Sequence, residues 1–414
     1  MRLAAFTSRA QLTAWRNSLF LIFALCGFGL ANWAARVPHV SEVLGLTSAQ
    51  LGLLLLGIAI GSIAGLTAAG RLISRVGSRR AVLVNLIGSA AGLVLGAVGT
   101  ATLRSFTVAF VGLLIFGACL GGCDVAMNVS GAANERALGR SVMPIYHGFF
   151  SVGTIAGAAG GATGERLQIS LPEHLGVVAG LIVILSLLVV RFLPADTEAR
   201  PGPVDAGAPP LPPRRDRLSL WTDHRTIAIG IIALGMAFAE GSATDWLSYA
   251  MVKGHESTAT TGALVFGVFV AAMTVGRFVG VALLDRFGRV PVLRASGVLA
   301  AIGLLLFIFV PVFAVAIVGV VFWGLGASLG FPVAMSAAAD DPRTAAARVS
   351  VVATIGYLAF LVGPPAIGFI AGGVGILNAL LLVLVLVAAA AIASVAARAP
   401  VLGSPAAQPE QQAK

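Results

Sequence analysis

An acid stands inside an otherwise apolar stretch at Gly121-Gly122-Cys123-Asp124-Val125-Ala126-Met127-Asn128. A carboxyl group is costly in hydrocarbon, so one placed there marks a functional site by default. Asn128 follows one helical turn later, which puts both side chains on one face. His147 opens the next apolar run at a depth comparable to Asp124. A buried carboxyl and a buried imidazole both suit reversible protonation; the three residues equally suit a structural hydrogen-bonded cluster. Further along, Glu240 lies in the middle of an apolar run, with Asp245 and Trp246 nearer its end, and Asn32 and Trp33 hold a similar place in the first run. Aromatic rings flanked by polar groups cradle sugars and other amphipathic solutes; tryptophans at such depths also serve as interfacial anchors. The candidates for proton coupling are therefore Asp124, His147 and Glu240. Those for substrate binding are Asn32, Trp33, Asn128, His147, Glu240, Asp245 and Trp246. Arg36 suits a partner for Asp245 or Glu42, a substrate clamp or an interfacial arginine, and Arg277 a snorkelling side chain.

A second constellation is basic. Gly70 is followed by Ser74-Arg75-Val76-Gly77-Ser78-Arg79-Arg80, and Asp285-Arg286-Phe287-Gly288-Arg289 repeats the pattern about two hundred residues later. Setting Gly77 on Gly288 aligns Arg75 with Arg286 and Ser74 with Asp285. Arginines beside helix ends pair with acids or with terminal carbonyls, which would latch one side of the protein shut. Plain anchoring at the membrane surface is the competing reading, above all for Arg79, Arg80 and Arg289. Ser74 cannot form an ion pair, so the first latch is expected to be the weaker one.

These residues need elements to hold them, and the composition says which. Of 414 residues, 58% are hydrophobic and only 11% charged, against a mean of about 25% charge in soluble domains. The mean hydropathy is +0.97. A soluble enzyme and a disordered chain are both excluded, and a lipid-embedded bundle of α-helices is required. The net charge of +10 is spread through short segments between apolar runs, which argues for membrane orientation and against nucleic acid. The three cysteines, Cys26, Cys119 and Cys123, all lie within apolar runs and read as small hydrophobes. No metal-ligand spacing and no cofactor motif is present in the sequence. Twelve apolar runs follow one another, from 15–37 to 374–397. The proline-rich stretch 194–225 divides them into a bundle over 1–193 and a second over 226–398, with a tail at 399–414. Basic residues crowd the face shared by both termini and this linker. The other face holds only Arg36, Arg104, Arg166 and Lys253, so termini and linker are expected in the cytoplasm.

Twelve helices in two halves, with the paired glycine–arginine loops, resemble the major facilitator superfamily over nearly the whole chain. The resemblance implies an all-α membrane fold of two pseudo-symmetric six-helix bundles. It also implies alternating access to a small-molecule site between them. The segment Asp124-Val125-Ala126-Met127-Asn128 is similar to the acid motif of fucose-permease-like proton symporters. Asn32-Trp33, His147 to Gly153 and Glu240 to Trp246 resemble a poorly characterised bacterial branch near them. The matching stretch Trp33–Pro38 has no acid where the fucose-type symporters carry one, which counts against fucose itself. Ala158 and Leu113 stand where drug antiporters of the superfamily carry a proline and an arginine, which counts against drug efflux. The expected function is proton-coupled uptake of a small polar solute, a sugar being one option. Export of drugs or metabolites and a non-transporting sensor are the alternatives. No enzyme chemistry is visible. The partners expected are the solute, protons and the lipid of a bacterial inner membrane, with the protein acting as a monomer.

Overall fold

The computed structural model describes residues 8–139, 142–194, 219–341 and 344–398. Most of the linker and the whole tail lie outside them, as do Arg140 and Arg343. Among the described residues every regular element is helical. The first half comprises α1 (Arg9–Ala35), the short α2 (Val37–Leu44), α3 (Ser48–Ala101), α4 (Phe106–Leu138), α5 (Met143–Arg166) and α6 (Leu171–Val190). The second comprises α7 (His224–Gly254), α8 (Ala259–Phe287), α9 (Arg289–Phe309), α10 (Phe313–Ala327), α11 (Gly330–Ala338), α12 (Ala345–Val374), α13 (Ile376–Ala379) and α14 (Leu381–Ala393).

Polar residues cut these helices out of an almost continuous apolar chain. Ser8, Thr47 and Ser170 each cap a helix by accepting from the backbone N–H three residues on, and Gln11, Gln50 and Glu173 reach back to complete the box. Asp223 and Thr258 cap α7 and α8 in the same way, without the return bond.

Ten of the helices are long and apolar enough to cross a bilayer, α10 with α11 and α13 with α14 each counting as one. One of the ten, α3, is 54 residues long and supplies two crossings. With the glycine-rich α5 this makes the twelve expected spans. The sequence predicts a loop between the second and third runs, and the structure differs there. The chain stays helical on both sides of Gly77 and turns on that residue alone, at φ 83° and ψ 166°. Gly288 makes the equivalent turn between α8 and α9 at φ 77° and ψ 171°. This region is essentially closed to residues with a Cβ, which is why glycine stands at both aligned positions.

Helices α1 and α7 are the most enclosed spans. Across the interface between the halves, α12 packs on α3, α5 on α8 and α2 on α7. The tightest approach is on the side away from the termini. There Gly52 of α3 meets the backbone of Pro364 in α12, and Gly368 meets the carbonyl of Ser48. The Ser48 and Tyr249 hydroxyls lie 3.2 Å apart, joining α3 to α7. Pro364 and Pro365 remove two amide donors from the middle of α12. This side of the molecule is shut.

Candidate functional site

Beneath that closure a cavity of about 310 Å³ lies between the halves. Helices α1, α3, α4 and α5 line it from one half, α7 and α12 from the other. Its walls are largely aliphatic and aromatic, with Leu30, Leu55, Ile58, Phe150, Tyr357 and Phe360 among them. Three carboxyl groups enter it: Asp124 from α4, Glu240 and Asp245 from α7.

Each acid has a different setting. Asn128 donates its amide to the Asp124 backbone carbonyl at 2.8 Å and to Asp124 Oδ1 at 3.2 Å. The one-turn spacing read from the sequence thus produces a direct contact. Glu240 Oε1 takes the Arg277 guanidinium at 3.0 Å. Arg277 is therefore an ion-pair partner inside the bundle and not the snorkelling side chain expected. A lone charge in the run 260–283 was the available signal. Asp245 has no hydrogen bond or ion pair among the described residues, although it faces the same cavity.

Other predicted residues are not brought to the cavity in this conformation. His147 sits edge-on to Phe23, ring centroids 5.2 Å apart, without a side-chain hydrogen bond to Asp124 or Asn128. Asn32 is fully buried and works between helices, donating to the Phe28 carbonyl at 2.9 Å and meeting His174 Nε2 at 3.0 Å. Trp33 and Trp246 are buried at the far ends of α1 and α7, and neither indole Nε1 finds a partner among the described residues. Trp246 stands edge-on to Tyr249 at 5.6 Å. The partner expected for Arg36 is Asp245 or Glu42. Instead Arg36 Nε lies 2.8 Å from Glu165 Oε1, poorly aligned as a hydrogen bond, while its Nη2 donates to the Ile169 carbonyl at 3.0 Å. Cys123 packs its sulfur 3.6 Å from Cys26, on α1, in place of the Cys119 with which it shares a helix face.

On the terminus side the second half is tied together by charge. Asp340, absent from the sequence-based candidates, receives Arg225 at 2.8 Å and Arg289 at 2.7 Å. Arg225 also donates to the carbonyl of Arg398 at 3.0 Å. Arg348 lies 3.8 Å from Asp223 and donates to Thr226 Oγ1 at 3.0 Å. Burial works against the Asp223 carboxylate, but bonds from Thr226 and the nearby Arg348 and Arg225 outweigh it and hold its pKa below the usual range. Arg289, for which the sequence leaves both a latch and a membrane-anchor reading, is thus engaged within its own half. Arg286 lies over the Phe287 ring at 5.2 Å. Arg75 and Asp285 make no ion pair among the described residues, and the space beside Gly70 is open. Arg79 and Arg80 begin the second limb of α3.

Two pseudo-equivalent bundles, each turning on a matching glycine and with a cavity between them, set the architecture. The family model described as Major Facilitator Superfamily matches residues 19–280 and 243–414, which together span nearly the whole chain. The chain belongs to the Major Facilitator Superfamily. It is a transport protein of this group and not an enzyme. An uncharacterised MFS-type transporter of Yersinia pestis is 33% identical over 355 residues, covering 85% of this chain and 87% of that protein. Membrane protein MosC of Rhizobium meliloti is 28% identical over 377 residues, covering 90% and 88%. Among solved structures, a point mutant of the nucleoside transporter NupG superposes with a TM-score of 0.75 at 14% identity, covering 94% of this chain and 99% of that one. A variant of the Escherichia coli fucose:proton symporter FucP gives 0.60 at 19% identity, covering 94% and 100%. At these identities the two structures share the fold with this superfamily member.

Proposed function

We propose that this transporter couples proton movement to the uptake of a small polar solute, and that Asp124 carries the proton. The observation that supports this most is the position of Asp124. It opens into the cavity between the halves and, among the described residues, has only the neutral amide of Asn128 as a side-chain partner. A carboxylate in that position keeps its charge only while water reaches it. Passing through a state closed on both sides strips that water, and the effective cost of burying an unpaired ion is several kcal/mol. A proton taken from the far side together with the solute removes the charge and permits that passage inward. Water reaching Asp124 from the terminus side then takes the proton as the solute leaves, so the inward passage carries proton and solute together.

In this reading the conformation described above is inward-facing, with both termini cytoplasmic. Shut contacts between α3 and α12 form the outer gate. Arg75, Gly77, Asp285, Arg286 and Gly288 belong to the cytoplasmic latch, which is disengaged here. Glu240, held by Arg277, and Asn128 line the solute's path. Trp33 and Trp246, with their unpartnered indoles, meet solute when the outer ends separate. His147 stands apart against Phe23.

The test is solute-driven proton uptake in proteoliposomes, run beside counterflow exchange across a solute panel. Asp124→Asn copies the protonated shape. It should abolish proton uptake and leave exchange largely intact. Proton uptake at the parent rate in Asp124→Asn removes Asp124 from the mechanism.

A further inference from the structure

We propose that the solute is an organic ammonium, carrying one positive charge, and that Asp245 receives that charge. The inference rests on the reading of Asp124 as the proton carrier and adds the substrate class to it.

The argument begins with charge balance. Three carboxyl groups reach the cavity, and one guanidinium stands with them. Arg277 neutralises Glu240. Asp124 is matched by its own proton in the cycle above and by the Asn128 amide. Asp245 is left over, without a hydrogen bond or ion pair among the described residues, in walls built mostly of hydrocarbon. An acid in this setting needs a partner. None of the side chains beside it supplies one: the hydroxyl of neighbouring Thr244 is already committed to the Glu240 carbonyl at 3.1 Å. The partner therefore arrives with the solute. A neutral polyol would offer Asp245 hydroxyl donors and leave its charge standing. An ammonium group offers donors and cancels the charge at once, forming the stronger kind of hydrogen bond.

The remaining walls say which cation fits. Phe150, Tyr357 and Phe360 present aromatic rings to the cavity. Aromatic faces attract an ammonium electrostatically, and aliphatic neighbours accept the carbon skeleton attached to it. A bare metal ion needs roughly six oxygen ligands, and among the described residues no group of three or more acids, histidines or cysteines is placed to hold one. The volume of about 310 Å³ is at the low end of small-molecule pockets, which limits the solute to a compact molecule.

The experiment measures thermal unfolding of the full-length protein in lipid nanodiscs, with no proton gradient, against matched pairs differing in one group. Glucosamine is paired with glucose, and 2-phenylethylamine with 2-phenylethanol. At neutral pH at least one ammonium member should stabilise the parent protein and its neutral partner should not. Asp245→Asn should weaken that ammonium's apparent affinity by roughly 30-fold, the loss expected for one charge-assisted contact. Asp245→Glu should retain part of it, which separates loss of charge recognition from loss of fold. Gly180→Ala, on α6 and away from the cavity, should bind as the parent does. Equal stabilisation by neutral partners, an ammonium effect that survives Asp245→Asn, or no effect from either ammonium overturns the proposal. So does a stabilisation by sodium over potassium that depends on Asp245, since it would assign the acid to a metal ion. Binding of an ammonium without proton movement would sink the coupling reading and leave this one standing. Proton uptake driven only by neutral solutes would do the reverse.

Discussion

Gly52→Ala should open the far side of the transporter. An added Cβ at Gly52 falls 2.5 Å from the Pro364 oxygen and 3.1 Å from both Pro364 C and Pro365 Cα. Ordinary carbon contacts lie at about 3.5–4.0 Å. Backbone cannot swing away as a side chain can, so α3 and α12 must part by about 1 Å. Overpacking of this kind typically costs about 1–3 kcal/mol. The cost falls only on the state in which these helices touch. The ratio of far-side-closed to far-side-open molecules should drop by about 5-fold to 150-fold. The helix-propensity gain of alanine over glycine, roughly 1 kcal/mol, applies to both states and cancels. Gly180→Ala on α6 supplies the control, because nothing lies within 4 Å of its added Cβ. Spin labels at the exposed Gln168 and Glu256 report the separation of the two halves on that side. Double electron–electron resonance should show a longer population in Gly52→Ala and none in Gly180→Ala. Indistinguishable distance distributions in the two variants would refute the idea that this glycine–proline contact holds the gate.

Glu165→Gln should destabilise the folded protein by about 3–5 kcal/mol, because it strands Arg36, whose side chain is only 1% exposed. Adding Arg36→Met should recover much of that loss in a denaturation series, and additive losses would argue against a coupled pair. Arg75→Ala and Arg286→Ala should lengthen distances across the terminus side in the same resonance measurement, by weakening the proposed latch; unchanged populations reduce these arginines to membrane anchors. Asp223 has a folded pKa below its unfolded value, so its contribution to stability is present above the ordinary carboxylate range. It is lost as pH falls through the lowered folded value. Asp223→Asn should flatten that acid limb of the stability profile, and an unchanged limb would assign it to other groups.

Much of this was legible in the sequence, for identifiable reasons. The apolar runs fix the helices because lipid leaves the backbone no other way to satisfy itself. Gly77 and Gly288 could be paired because a turn of one residue demands the same amino acid twice. Asp124 and Asn128 were found because one helical turn separates them, and local spacing survives into three dimensions. What failed was pairing at long range. Nothing along the chain ties Arg36 to Glu165, Glu240 to Arg277 or Asp340 to two arginines, since each depends on how helices distant in sequence lie side by side. Depth alone put Trp33, Trp246 and Asn32 at the cavity. Depth says nothing about which way round a helix is turned, and in this conformation those side chains face into packed core.

The one-residue turns at Gly77 and Gly288 bear on how the chain enters a membrane during synthesis. Two crossings joined by a single residue have no slack, so neither can settle in the bilayer well before the other. They enter as one hairpin, and Arg71, Arg75, Arg79 and Arg80 ride together at its tip. In the orientation proposed above, that tip stays on the side where synthesis begins, and the direction of both limbs is fixed in a single event. A side chain at Gly77 would strain that tip at the moment of insertion, so its effect should appear as protein that is never assembled, ahead of any loss of transport.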